Sequence, residues 1–170
     1  RGIPKTAEER LRIAEKIINK AAQYGISKED IIVDCLVLTA SAPQREVQET
    51  IKAVRLVKEK LGVRTLLGVS NVSYGLPERE LLNRTFLAMA LAAGLDAPII
   101  NPMDGEMRDT INAFNVLWNH DQDSREFIST YSERKTETSA KETAKTKDLK
   151  KIVVDGLREE VTIAVRDLLK

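Results

Sequence analysis

The chain has 170 residues, 42% of them hydrophobic, which is the size and apolar content of one domain with a real core. Lys plus Arg number 27 against 26 Asp plus Glu, so no global field recruits nucleic acid or an acidic membrane surface. A single cysteine excludes an intramolecular disulfide, and no apolar run approaches the roughly 20 residues of a spanning helix. The expected setting is therefore a reducing cytoplasm, with a small molecule or another protein as partner. The opening "RGIPKTAEERL" has neither an initiator methionine nor a signal-like start, and the chain is expected to be a fragment.

Over residues 7–24, Leu11, Ala14, Ile17, Ile18, Ala21 and Ala22 recur at helical spacing, and Gly25 stands where a helix-terminating glycine belongs. "DIIVDCLVL" reads as a strand. Ser41 and Gln44 are spaced as a capping box for a second helix carrying Val47, Ile51, Val54, Val57 and Leu61, closed by Gly62. The strand "VRTLLGVSN" follows. A third helix runs from about Pro77 to Gly94, then comes the strand segment "APIINP", then the helix "GEMRDTINAFNVLWN" with Phe114 and Trp118 expected to face the core. Helix and strand alternate with no hairpin signal, the pattern of an α/β fold with parallel strands.

Each strand segment repeats one grammar: glycine, short turn, apolar run, then Asp or Asn. Asp34, Asn71 and Asn101 are those terminal polar residues. Parallel α/β folds bind ligands beyond the carboxyl ends of their strands, so function is expected there. A complete (βα)8 barrel takes about 250 residues, and three strands cannot close one. No strand leads into G-x-G-x-x-G or G-x-x-x-x-G-K-[ST], which removes the main support for a nucleotide-binding sheet.

Residues 132–147, "SERKTETSAKETAKTK" from its start, have no large apolar side chain and read as a linker. Over residues 148–170, Leu149, Ile152, Val153, Leu157, Val161 and Leu168 return at helical spacing, as the first helix of a further module.

"EDIIVDCLVL", "LLGVSNVSYGLPERELLNRTFLAMALAAGLD" and "APIINPMDGEM" together resemble the pterin-binding methyltransferases that use methyltetrahydrofolate, the methionine synthase group above all. The resemblance covers residues 1–131. It implies the C-terminal half of a (βα)8 TIM barrel of the pterin-binding, dihydropteroate-synthase-like kind. It also implies transfer of the N5-methyl group of 5-methyltetrahydrofolate to cob(I)alamin, on the way to homocysteine.

Asp34 would accept hydrogen bonds from the pterin amino group and ring N–H, and Asn71 would face N5 as the catalytic amide. Ser70, Ser73 and Asn101 are further candidates for contact with the pterin. Asp104 either faces the mouth or caps the following helix. Cobalamin would come with a corrinoid domain absent from this chain, and zinc only with an absent homocysteine domain, since no Cys/His cluster has zinc spacing. The family's cobalamin-ligand histidine motif is missing: His120 lies in "LWNHDQD" at a helix end.

The tail favours the methionine synthase group, because it looks like the start of the helical cap before a cobalamin domain. Alternatives are a methyltransferase serving a separate corrinoid protein, and an inactive half-barrel that only associates, with the missing barrel half or a second copy. Dihydropteroate synthase shares the pterin logic but needs basic residues at the last strand, and "IINPMDGEM" offers none before Arg108. Cys35 is expected to be buried as a small apolar group, and Arg79, Arg84 and the charged face of "EERLRIAEK" to be solvated surface.

Overall fold

The computed structural model describes residues 2–41, 43–132 and 165. They fall into two compact units, Arg1–His120 and Asp121–Lys170. In the first, helix α1 (Ala7–Ala22) starts at a complete capping box: the Thr6 hydroxyl accepts from Glu9 N–H while the Glu9 carboxylate accepts from Thr6 N–H. Its first amide, Ala7 N–H, also donates to Glu49 from the next helix at 2.9 Å. The helix is two residues shorter than its periodicity suggests, because Gly25 turns the chain at φ +77 and Ile26 N–H reaches back to Ala21 O.

Three parallel strands follow, β1 (Ile32–Asp34), β2 (Arg64–Gly68) and β3 (Ala97–Ile99), in sheet order β1-β2-β3. Helix α2 (Arg45–Leu61) links the first pair and α3 (Arg79–Ala92) the second; α4 (Gly105–Leu117) follows β3. The alternation expected from sequence therefore holds through the first unit. Consecutive strands are neighbours, which is also the order found in a barrel wall. Register aligns Asp34 with Leu66 and Gly68 with Ile99, so the three strands end at one edge of the sheet.

Two strands are shorter than their apolar runs. After Asp34 only Cys35 N–H still reaches β2, at Leu66 O, and Leu36 then leaves the ladder in left-handed conformation, φ +54. After Gly68 the chain tightens into a 3-10 turn, Val69–Ser73, instead of continuing as strand. The expected capping box at Ser41 and Gln44 is not formed: α2 starts without a side-chain cap, and the Ser41 hydroxyl bonds Tyr74 O instead.

The core lies between the sheet and the apolar faces of α2 and α3, with Val54, Val57, Leu67, Val69 and Leu87 almost wholly buried. Each such side chain contributes about 1.5–3 kcal/mol by leaving water. Phe114 packs against the core, as its spacing suggests, and stacks on Trp118 at 5.1 Å, whereas Trp118 is half exposed and Leu117 more so, so the expected core contact stops at Phe114. Within the second unit, Asp121 caps a helical stretch over 125–132 by accepting from Glu126 and Phe127 N–H. The linker and terminal helix expected over 132–170 lie outside the described residues except for Ser132 and Val165. Among the described residues no helix is long and apolar enough to cross a membrane.

Candidate functional site at the carboxyl ends of the strands

Asp34 closes β1 and folds its carboxylate back on its own turn, where Oδ1 accepts Leu36 N–H at 2.8 Å. That leaves Oδ2 open, and the residue is exposed. The turn is strained, since a left-handed leucine costs about 1–3 kcal/mol unless its surroundings hold it. What holds it is Arg10, buried on α1, whose Nη1 donates to Cys35 O and Leu36 O. Cys35 itself is 2% exposed, as expected for a small apolar group, and its thiol is pushed up to about 12 by burial first and then by the Asp34 charge, with Arg10 opposing. It stays protonated.

Asn71 sits at the centre of the 3-10 turn after β2, exposed, with no side-chain partner among the described residues. Its amide folds over Gly68 so closely that a Cβ at Gly68 would lie 3.3 Å from Asn71 Nδ2. The backbone does not demand glycine here, since Gly68 has φ −80, which any residue adopts; a side chain would press on the Asn71 amide, which would have to shift by a few tenths of an ångström.

Ser73 is fully buried, donating to Ser70 O and accepting from Arg79 Nε. Arg79 also donates to Ser70 O through Nη2 at 3.1 Å. Arg79 is exposed, as expected, and its guanidinium also ties the start of α3 to the turn that carries Asn71. Arg84 likewise pairs with Glu106, joining α3 to α4.

The two loops are stapled together. Tyr74 O accepts from both the Thr39 and Ser41 hydroxyls, and Ala40 N–H donates to Val72 O at 2.8 Å. The loops bearing Asp34 and Asn71 are therefore bonded to each other through three hydrogen bonds. In the third loop Asn101 Oδ1 accepts Met103 N–H, a local turn contact, and Asp104 resolves its two expected roles by capping α4 at Met107 N–H. Ser70 is exposed beside Asn71, with its carbonyl already used by the turn.

Sequence reasoning missed Arg10, although a signal was there. The buried face of α1 is Ala7, Arg10, Ala14 and Ile18, so the arginine lies on the apolar stripe and not on the charged face. Arg79 had no such signal, because its partners depend on how the turn folds.

Residues 4–101 match the family of pterin binding enzymes. Methionine synthase from Mycobacterium leprae is 38% identical over 108 residues, 59% of this chain and 9% of the relative. Methionine synthase from Mycobacterium tuberculosis is 37% identical with the same coverage. Methylcorrinoid:tetrahydrofolate methyltransferase from Eubacterium limosum is 24% identical over 137 residues, 79% of this chain and 50% of that protein. The chain thus spans a small part of the first two and half of the third. With the matched region running from the lead into α1, through Asp34 and Asn71, to Asn101, the chain belongs to the pterin-binding enzyme family.

Proposed function

We propose that this chain is part of a folate-dependent methyltransferase that moves the N5-methyl group of 5-methyltetrahydrofolate, in the methionine synthase group. The observation that carries the reading is the pair Asp34 and Asn71. They stand at the carboxyl ends of neighbouring strands, each with open hydrogen-bonding capacity, on two loops bonded to each other. A carboxylate accepts only, so Asp34 suits the donor edge of a pterin, its exocyclic amine and ring N–H. A carboxamide donates and accepts, so Asn71 suits N5. Its N–H strengthens its bond as N5 gains electron density with the departing methyl, which favours the transition state over the ground state. Ser70 and Asn101 are outer contacts, whereas Ser73 acts through the turn.

The chain would form the last half of a (βα)8 barrel, the preceding strand lying along the open edge of β1, where Ile13, Ile17 and Ile32 are exposed. A second copy could cover the same edge. The corrinoid that the resemblance implies would be presented by another domain or protein, and the residues here act on the folate; the sole histidine, His120, is exposed and edge-on to Phe114. The higher identity to the two methionine synthases favours that group over the corrinoid-protein methyltransferase.

The test is calorimetric titration with 5-methyltetrahydrofolate of the 170-residue chain, alone and mixed with a complementary half-barrel of the family. Binding that Asn71→Ala weakens roughly tenfold or more is the expected result. Folded preparations that bind nothing would overturn the reading.

A further inference from the structure

We propose that Arg10 is a positioning residue for Asp34, acting through the strained backbone of Leu36. Arg10 is 6% exposed, and its Nη1 is aimed at the two carbonyls of the turn that follows β1. Nη1 lies 3.0 Å from Cys35 O, 2.8 Å from Leu36 O and 2.7 Å from Thr50 Oγ1, and Nε donates to Pro4 O at 3.2 Å. Thr50 Oγ1 also lies 3.1 Å from Leu36 O and 3.0 Å from Glu46 O, and shares its single proton between these two acceptors. The amide of Leu36 donates to Asp34 Oδ1. A chain of bonds therefore runs from the guanidinium to the Leu36 carbonyl, across one peptide residue, to the Asp34 carboxylate.

The backbone of Leu36 explains why a cation is needed. At φ +54 a leucine relaxes toward negative φ unless both of its polar groups are held, and relaxation swings its N–H away from Asp34. Hydrogen bonds from a charged donor are the strong kind, and here Nη1 meets both carbonyls while Nε holds Pro4 O, a spread of fixed donors that a single ammonium does not reproduce. A packing role alone does not account for the residue. A buried cation carries a heavy desolvation cost, and Nη2 has no partner among the described residues. An aliphatic side chain at this position of the stripe would avoid both. Arg10 and Asp34 also line one cavity of about 230 Å3, together with Val33 and Leu36. The consequence for ligand binding rests on the pterin reading of Asp34; the positional claim does not.

The experiment is amide hydrogen exchange on the 170-residue chain, comparing wild type with Arg10→Met, Arg10→Lys and Thr50→Val. Exchange at Leu36 N–H is expected to rise about tenfold or more in Arg10→Met and by less in Arg10→Lys, while Val54 and Leu67 stay within about twofold of wild type. If Arg10→Met does not fold, Thr50→Val carries the test, with a smaller rise confined to residues 34–36. Unchanged exchange at Leu36, or acceleration of all amides alike, overturns the proposal.

A double-mutant cycle of Arg10→Lys with Asp34→Asn on folate binding then reads the consequence. A loss from Arg10→Lys that disappears in the Asp34→Asn background supports action through Asp34, and additive losses overturn it. If no preparation binds folate, the pterin reading fails while the exchange data still decide the role of Arg10.

Discussion

Gly68 and Asn71 show how one missing side chain places another. Because Gly68 has an ordinary φ, Gly68→Ala introduces no backbone strain, and its new Cβ meets only the Asn71 amide at 3.3 Å. The expected outcome is an unfolding free energy within about 1 kcal/mol of wild type and folate binding several-fold weaker. Unfolding in urea and calorimetry on the same sample separate the two, and unchanged binding would show that the amide's position does not matter. Arg10 makes the opposite case. Its neighbours on the helix are Ala7, Ala14 and Ile18, and its chemistry is directed at a turn 25 and 26 residues away.

The start of α1 shows how elements are joined. Thr6 and Glu9 satisfy the first amides locally, whereas Ala7 N–H is taken by Glu49 from α2. The first pair is exposed and concerns one helix; the second is buried and fixes two helices to each other. Thr6→Ala should therefore cost about 1 kcal/mol, and Glu49→Ala more, both measured by chemical denaturation. Equal costs would mean that the contact between helices adds nothing beyond capping. The Ala7 N–H, and then Lys52, hold the Glu49 carboxyl below the usual range, so its contribution is present near neutral pH and fades in acid.

Across the whole first unit, Asp96 is the joint between α2, β2 and β3. Its carboxylate accepts from Lys58 Nζ, Thr65 N–H and the Thr65 hydroxyl. Burial pushes its pKa up, but the bonds from Lys58 and Thr65 outweigh it and leave the carboxyl below its usual value of 3.8. A depressed carboxylate stabilises the fold above its unfolded pKa, and that part is lost as pH falls through the folded value. Asp96→Asn should accordingly lower stability near pH 7 by roughly 1 kcal/mol, and the gap to wild type should close below about pH 4. A gap independent of pH would assign the effect to shape and not to charge.

Asn71 and Asn101 fall in the turns just after β2 and β3, whereas element order, parallel strands and Asp34 as the last residue of β1 were legible in the sequence. They are written in local apolar periodicity and in glycine punctuation, which report on one element at a time. Tertiary structure decided what those residues do once assembled. It ended β1 in a left-handed turn at Leu36 and β2 in a 3-10 turn, turned Ser41 from a helix cap into a loop staple, buried Ser73, and drew Arg10 and Arg79 into the support of the site. The physical reason is that hydrogen-bond partners 25 to 40 residues apart are set by strand register and helix packing, and no local pattern encodes them.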